Sequence, residues 1–392
     1  MPVTPDFATY FRSATVARLV PAVRWLEVEW SDGQRNRFHY LWLRDNCPCD
    51  TCVKEITREQ TFEILSIDAG LRASTATSTT HGDLRLVWPD GHESVFHAGW
   101  LREHAYDREP GVEVDSRIVW DSTTFAAPPT FDAEAVLDDD DALLEWLTAL
   151  QTFGCSRVQG LPHDPDVVGR LAGRIGMVRH TNFGVVWDVK SEPDPISNAN
   201  TSLRLPPHTD LPTREYQPGL QFLHCLVNDA TGGDSVLVDG LRVAEILKAE
   251  SPEHFTTLTT VPWNWANRSK NTDYRWASPL IVLDGRGLVS ELRVGNWLRA
   301  PLVDVPFDQV ERAYEAYRHL FEITYRPELV VQFRLGPGDC MAFDNRRVLH
   351  ARTEFDANSG PRFLRGCYSE REELSSRIRV IERAKRTALA HS

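Results

Sequence analysis

His208-Thr209-Asp210 is followed, far along the chain, by His350 and then by Arg362. Residues two apart on a strand project from the same face, so His208 and Asp210 can approach one metal ion. Two imidazoles and one carboxylate occupy one face of an octahedral ferrous ion and leave the remaining positions open. The spacing therefore predicts a non-haem iron centre formed by His208, Asp210 and His350.

The tripeptide has a second copy at His81-Gly82-Asp83. At the offsets where the later copy meets its second histidine and its arginine, the earlier copy meets Leu223 and Ser235. Without a partner histidine, such a tripeptide is typical of a loop histidine beside a turn aspartate. We therefore interpret residues 81–83 as a polar turn.

The chain has 392 residues, which favours two domains over a single core. Its 43 basic and 56 acidic residues give a formal net charge of -13, which argues against nucleic acid or an anionic membrane as a partner. No stretch has the length and apolarity of a membrane span, and the N-terminus does not resemble a signal peptide. These features predict a cytoplasmic protein.

Three of the seven cysteines lie close together at Cys47, Cys49 and Cys52. Closely spaced thiolates are typical of a tetrahedral zinc site, which needs a fourth ligand. We predict His92, because it follows a strand-like segment and the tight turn Asp90-Gly91, and His97 is the competing candidate. The alternative interpretation is a loop of reduced cysteines without metal.

The N-terminal third is rich in strand patterns. Residues 23–30 predict a strand, and the alternation of Phe38, Tyr40 and Trp42 predicts its return partner. Later segments mix strands and turns without regular βαβ alternation, which favours a mixed α+β, mainly β core with flanking helices. We expect a small β-rich zinc-binding domain in residues 1–115, a linker in residues 116–135 and a catalytic domain in residues 136–392.

Four segments of this chain resemble the γ-butyrobetaine hydroxylase-like family of 2-oxoglutarate-dependent dioxygenases. They are Trp42-Leu43-Arg44-Asp45-Asn46-Cys47-Pro48-Cys49, His208-Thr209-Asp210, Gly232-Gly233-Asp234-Ser235, and Phe343-Asp344-Asn345 leading to His350. The resemblance extends from about residue 20 to residue 385 and includes both expected domains.

The resemblance implies a double-stranded β-helix (jelly-roll) catalytic domain, an N-terminal zinc domain, ferrous iron, 2-oxoglutarate and a homodimer. It assigns iron to the same three ligands, and zinc to Cys47, Cys49, Cys52 and His92. Arg362 would pair its guanidinium with the distal carboxylate of 2-oxoglutarate, and Asn296 would lie near cosubstrate and substrate. The implied reaction uses O2, releases succinate and CO2, and hydroxylates an unactivated carbon.

In this family an aromatic cage holds a trimethylammonium group, which aromatic faces attract through cation-π contacts. By position, Phe183, Trp187 and Tyr368 would supply three walls, and Asn200 stands where the family has a cage tyrosine. Two substrate classes remain open. One is a methylated amine with a carboxylate or phosphonate, as in γ-butyrobetaine, and the other is a non-quaternary amine or amino-acid derivative that donates a hydrogen bond to Asn200.

Two further hypotheses belong to other classes of protein. A zinc hydrolase could use the same His and Asp ligands, although Arg362 favours a 2-oxo acid. A zinc-stabilised binding scaffold with an inactive barrel would retain metal at the N-terminal site alone and would form no succinate.

Overall fold

The computed structural model describes residues 4–107, 116–190, 200–269 and 271–391. The chain divides into two compact units, one formed by Met1–Asp115 with Val380–Ser392 and the other by Ser116–Arg379. None of the helices in these described ranges has the length and apolarity that crossing a bilayer requires.

The first unit contains two small antiparallel sheets, with strand orders β1-β2-β3 and β4-β5-β6. Its elements are β1 (Val16–Pro21), β2 (Trp25–Trp30), β3 (Arg35–His39), α1 (Tyr40–Asp45), β4 (Thr75–Ser78), β5 (Leu84–Val87), β6 (Glu93–Phe96) and α2 (Ala98–Glu103). The predicted hairpin is present, and its apolar positions, such as Leu26, Val28 and Phe38, are buried in one core with Leu84 and Leu86.

The predicted return strand is wrong beyond His39, because Tyr40 and Trp42 lie on α1 rather than on β3. Tyr40 and Leu43 are buried one helical turn apart, and Trp42 stacks on Trp100 with ring centroids 5.4 Å apart. Three alternating aromatic residues are too short a pattern to separate the end of a strand from the first turn of a helix.

The second unit is mainly β, with helices packed around two larger sheets. Its elements are β7 (Thr130–Asp132), α3 (Ala133–Asp138), α4 (Asp140–Phe153), β8 (Cys155–Gln159), α5 (Val167–Gly173), β9 (Val186–Lys190), β10 (Leu205–His208), β11 (Leu220–Asn228), β12 (Thr231–Gly232), β13 (Ser235–Asp239), α6 (Gly240–Glu250), α7 (Pro252–Thr260), β14 (Trp263–Arg268), β15 (Asp273–Ser278), β16 (Ile281–Leu283), β17 (Val289–Leu292), α8 (Val310–Thr324), β18 (Val331–Phe333), β19 (Cys340–Asp344), β20 (Val348–Arg352), β21 (Phe355–Asp356), β22 (Arg362–Ser369) and α9 (Arg371–His391), whose last residues belong to the first unit.

The larger sheet has the strand order β7-β8-β19-β11-β22-β9, and the smaller has the order β10-β20-β13-β18. One apolar core joins them, because Cys225, Met341 and Leu364 of the larger sheet pack with Leu237 and Val348 of the smaller. The two sheets therefore face each other, and side chains on their inner faces can converge on a shared site.

The segment expected to be a linker has well-defined packing from residue 116 onward. Trp120 is buried, its backbone N–H donates to Asp239, and β7 pairs in parallel with β8. Asp139 caps the N-terminus of α4, because its carboxylate accepts the backbone N–H of Ala142.

Candidate active site

His208 and His350 face each other across neighbouring strands of the smaller sheet. They are directly paired in the β10–β20 ladder, and their ring centroids lie 4.0 Å apart. Directly opposed residues of an antiparallel pair project on the same side of the sheet, so residues far apart in sequence present adjacent imidazoles.

Asp210 lies beyond the end of β10, and a buried asparagine holds its backbone in place. The Asn345 side chain accepts the N–H of Asp210 at 2.7 Å and donates to its carbonyl oxygen at 3.0 Å. Asn345 is fully buried and also donates to the carbonyl oxygen of Pro218. The Asn345 amide thus makes the backbone hydrogen bonds that a neighbouring strand would otherwise make with Asp210. The chain then turns at Leu211, which has a positive φ of 54°.

The two carboxylate oxygens of Asp210 have different surroundings. Oδ1 lies 3.4 Å from Nε2 of His208 and 3.8 Å from Nε2 of His350. Oδ2 accepts a hydrogen bond of 2.7 Å from the hydroxyl of Tyr368. Tyr368 therefore holds one oxygen and leaves the other directed at the two imidazoles.

The protonation states suit metal ligation. Nδ1 of His208 lies 2.9 Å from the carbonyl oxygen of Pro206, so it donates there and leaves a lone pair on Nε2. Burial lowers the pKa of His350 to about 3, and the charge of His208 acts in the same direction. Burial alone would raise the pKa of Asp210, but hydrogen bonding to His208 and the charges of both histidines hold it below its usual range.

The donor atoms of these three residues lie within 4.8 Å of one another. A carboxylate and two imidazoles that converge on one point form a donor set suited to a divalent transition metal. The remaining coordination positions would open onto the cavities that these same residues line.

A small inner pocket of about 80 Å³ lies against the side chains of His208, Asp210 and His350. Arg362, at the start of β22, lines it and donates from Nη2 to the carbonyl oxygen of Gly233 at 3.3 Å. Among the described residues, its Nε has no hydrogen-bond partner. Burial lowers the pKa of Arg362 to about 10, so the group remains cationic at neutral pH. The pocket fits an anion beside a metal.

Arg352 and Gln221 also line the inner pocket and were not predicted from the sequence. Arg352 lies two residues after His350 on β20, so strand periodicity places both side chains on one face and could have indicated it. Its Nη2 donates to the carbonyl oxygens of Thr201 and Leu203. Arg352 thereby connects the inner pocket to the segment that carries Asn200.

A larger outer cavity of about 540 Å³ adjoins His208 and Asp210. Phe183, Trp187, Asn200 and Tyr368, the four predicted substrate contacts, all line it. Trp187 packs on Tyr368 with ring centroids 4.1 Å apart. His208 and Asp210 line both spaces, so the predicted metal site lies where the inner pocket and the outer cavity meet.

Asn296 lines neither space. Its Oδ1 accepts from Nη2 of Arg299 at 2.7 Å and from the Tyr317 hydroxyl at 3.4 Å. The next residue, Trp297, lines the outer cavity and packs on His208 with ring centroids 4.6 Å apart. A short 3-10 turn at Asn296–Leu298 determines which side chain faces the cavity, and sequence position alone does not reveal this.

The cysteine cluster of the first unit also converges on a point. Sγ atoms of Cys47, Cys49 and Cys52 lie 3.2, 3.5 and 3.7 Å from Nε2 of His92. The competing candidate, His97, caps α2 instead, and its Nδ1 accepts the N–H of Gly99. The earlier copy of the tripeptide is a turn, as predicted, with Gly82 at φ 80.

Comparisons with known proteins agree with this arrangement. Residues 120–368 match the model of the family "Taurine catabolism dioxygenase TauD, TfdA family", and residues 18–102 match "Gamma-butyrobetaine hydroxylase-like, N-terminal". The γ-butyrobetaine dioxygenase of Pseudomonas sp. (strain AK-1) is 44% identical over 96% of this chain and 99% of that protein. The mitochondrial trimethyllysine dioxygenase of Homo sapiens is 31% identical over 88% of this chain and 83% of its own.

A solved structure, asparagine oxygenase in complex with Fe(II), 2S,3S-3-hydroxyasparagine and succinate, has a TM-score of 0.48 and 23% identity to this chain. The match covers 60% of this chain and 83% of the chain of asparagine oxygenase. The family models and the 44% identical relative, which extends along nearly the whole chain, confirm the resemblance seen in the sequence. The chain therefore belongs to the γ-butyrobetaine hydroxylase-like members of the TauD, TfdA family, and it is a dioxygenase.

Proposed function

We propose that this dioxygenase uses Fe(II), O2 and 2-oxoglutarate to hydroxylate an unactivated carbon of a small γ-butyrobetaine-like zwitterion. The substrate would carry a methylated amine and a carboxylate or phosphonate, and succinate and CO2 would be released. The observation that carries this proposal is the position of the His208, Asp210 and His350 donors between an arginine-lined pocket and an aromatic cavity.

Iron would be held by His208, Asp210 and His350, whose protonation states and convergence fit it. When bound, it would supply the redox chemistry that couples decarboxylation of a 2-oxo acid to oxidation of a carbon. Tyr368 would hold the carboxylate of Asp210 in position, since burial and the Asp210 charge raise the phenol pKa and keep the hydroxyl protonated. The packed Trp297 ring would keep water from one side of His208.

The inner pocket would hold 2-oxoglutarate. Arg362 would pair with the distal carboxylate, because its buried guanidinium lines the pocket and its Nε donates to none of the described residues. Arg352 would add a second positive charge to the same pocket. The role expected of Asn296 stays a prediction, since its side chain lies outside both spaces.

The outer cavity would hold the amine. Faces of Phe183, Trp187 and Tyr368 attract a methylated ammonium, which has no N–H to satisfy. Relatives named for γ-butyrobetaine and trimethyllysine support this substrate class. The alternative is a non-quaternary amine that donates to Asn200, whose Nδ2 is already bonded to the carbonyl oxygen of Lys190 at 3.1 Å.

Replacing Asn200 with Tyr separates the two substrate classes. A tyrosine would add an aromatic face and remove the amide acceptor, so we expect quaternary-amine turnover to persist or improve. A collapse of that turnover, with retained turnover of a secondary or tertiary amine, would favour the alternative.

We propose that Cys47, Cys49, Cys52 and His92 hold a structural zinc ion in a domain formed by residues 1–115. Three sulfurs and one imidazole nitrogen within 4.8 Å of one another fit tetrahedral zinc. We further propose that the two facing sheets form a double-stranded β-helix in a catalytic domain of residues 136–392, reached through residues 116–135. A homodimer and a cytoplasmic location stay predictions.

The experiment that tests the function is anaerobic reconstitution with Fe(II) and 2-oxoglutarate, followed by exposure to oxygen with a panel of methylated amines. We expect one class of zwitterionic amine to stimulate succinate formation and to gain one oxygen atom. If no amine stimulates succinate above the rate without substrate, the proposed substrate class is wrong.

A further inference from the structure

Two segments outside the large sheets meet beside the proposed iron site. The first, residues 209–217, follows β10 and carries Asp210. The second, residues 293–298, follows β17 and carries Trp297 and Leu298, which line the outer cavity and which we call the Trp297 wall. Neither segment pairs in the strand order of the two large sheets. Contacts between the two segments therefore determine where the Trp297 wall lies.

The hydroxyl of Thr209 joins the two segments and is fully buried. It accepts the backbone N–H of Val294 at 3.1 Å and donates to Oε1 of Gln217 at 2.9 Å. The backbone N–H of Thr209 donates to the carbonyl oxygen of Val294 at 2.7 Å. Gln217, which is also fully buried, donates from Nε2 to the carbonyl oxygen of Leu292 at 3.0 Å. Thr209 and Gln217 thus form one buried hydrogen-bond network with the second segment and the end of β17.

Arg293 adds further contacts between the same two segments. Its Nη1 donates to the carbonyl oxygen of Pro212 at 3.2 Å, and its Nη2 donates to that of Glu215 at 2.7 Å. The backbones also approach closely, because a Cβ at Gly295 would lie 3.3 Å from Cγ of Pro212. The two segments are therefore held together at several points, and Thr209 supplies the one next to the proposed iron ligands.

The proposed iron ligands have supports that do not include the Thr209 hydroxyl. His208 is paired in the β10–β20 ladder. Asp210 is held through its backbone by Asn345 and through Oδ2 by Tyr368. Removing the Thr209 hydroxyl would therefore leave the iron ligands in place and loosen the second segment.

We infer that Thr209 is a positioning residue whose hydroxyl fixes the Trp297 wall of the outer cavity against the segment that carries Asp210. It rests on the proposed function, and it gives the middle residue of the iron-binding tripeptide a role in amine binding. Thr209 lines neither the inner pocket nor the outer cavity, so it acts through residues 293–298. Without its hydroxyl, the buried N–H of Val294 loses its acceptor, and the Trp297 wall is no longer held in one position. An amine that binds only one position of this wall then binds more weakly.

Thr209→Val tests the inference, because valine has almost the same shape as threonine and lacks the hydroxyl. Binding of γ-butyrobetaine to the protein loaded with Fe(II) and 2-oxoglutarate is measured by calorimetry without oxygen, and Fe(II) is titrated separately. We expect the Kd of γ-butyrobetaine to rise about tenfold, as when a buried polar group loses its partner, while the Kd of Fe(II) stays unchanged. Thr209→Ser keeps the hydroxyl and should restore the Kd of γ-butyrobetaine.

Thr213→Val is the matched control, because Thr213 is buried on the first segment and its hydroxyl has no hydrogen-bond partner among the described residues. We expect both Kd values to stay unchanged in this control. If circular dichroism shows that Thr209→Val does not fold, Gln217→Met removes the other side of the same hydrogen bond. The same rise in the Kd of γ-butyrobetaine alone is then expected for Gln217→Met.

Equal losses of Fe(II) and γ-butyrobetaine affinity, or no loss of either, would overturn the inference while leaving the proposed function intact. The same loss of γ-butyrobetaine affinity in Thr213→Val, or no recovery in Thr209→Ser, would also overturn it. If the unaltered protein does not bind γ-butyrobetaine, the proposed function fails and this inference fails with it.

Discussion

The Asn345 amide holds the backbone of Asp210, one of the three proposed iron ligands, in place. Its three side-chain hydrogen bonds satisfy both backbone groups of Asp210 and one carbonyl of Pro218, all at a place where the strand ladder has ended. Side chains that hydrogen-bond to metal-ligating residues fix the orientation of those residues and thereby tune metal affinity.

For Asn345→Ala we expect iron affinity to fall about tenfold or more, because groups that support metal ligands typically contribute that much. The measurement is an Fe(II) titration at fixed 2-oxoglutarate. Asn228→Ala is the matched control, since Asn228 is also buried and bonds to Leu335 rather than to the ligand segment. Equal losses of iron affinity in both variants would show that Asn345 has a general structural role.

Among individual residues, the sequence predicted the three proposed iron ligands but not Asn345, the side chain that holds the Asp210 backbone. The residue types and spacing pointed to His208, Asp210 and His350, but the strand argument holds for the two histidines only, because β10 ends at His208 and Asp210 lies beyond it. Asn345 appeared in the sequence as part of a family motif without a role, since its partner Asp210 is distant along the chain and only the fold brings them together. The cavity-facing Trp297 was missed for a similar reason.

At the scale of elements, two glycines let strands approach the site closely. A Cβ at Gly233 would lie 2.9 Å from Nε of Arg362, and one at Gly366 would lie 2.9 Å from the Trp187 ring. Gly233 also has φ 75, a conformation that side chains disfavour. A side chain at residue 233 would therefore displace Arg362 in the inner pocket, and a side chain at residue 366 would displace Trp187 in the outer cavity.

We predict that Gly233→Ala raises the KM for 2-oxoglutarate several-fold and leaves the KM for the amine nearly unchanged. Gly366→Ala should do the reverse, because it displaces Trp187 and not Arg362. Initial rates measured against each compound in turn provide the check. If both variants altered the same KM, the inner pocket and the outer cavity would not bind 2-oxoglutarate and the amine separately.

The elements themselves were partly predictable. The hairpin at β2 and β3 follows from the alternation of apolar residues to within a few residues. The helix α1 was not predictable, because Tyr40 and Leu43 form a helical face only when the core that contains Trp88 and Trp100 is present. Likewise, β10 ends at His208, and the position of Asp210 beyond it depends on tertiary contacts.

At the scale of the whole molecule, the first unit is small, and its two sheets each have three strands. Its four convergent ligands would add folding free energy to this unit when they bind zinc. Burial raises the pKa of Cys47 to about 12, so without a metal this thiol would stay protonated at neutral pH.

We therefore predict that Cys49→Ser loses zinc and lowers the melting temperature. Zinc content by mass spectrometry of metals and thermal unfolding by circular dichroism are the measurements. Thr51→Ala is the control, because Thr51 contacts the Cys49 sulfur at 3.0 Å and is not one of the four ligands. A Cys49→Ser protein with unchanged zinc and unchanged melting temperature would remove the zinc proposal.

We propose that His208, Asp210 and His350 hold the iron at which oxygen is activated. The most direct measurement is succinate formation by His208→Ala after reconstitution with Fe(II), 2-oxoglutarate and the stimulating amine, with circular dichroism on the same samples. We predict that succinate falls to the background without enzyme while the fold is retained. Succinate formation at the rate of the unaltered protein would contradict the claim.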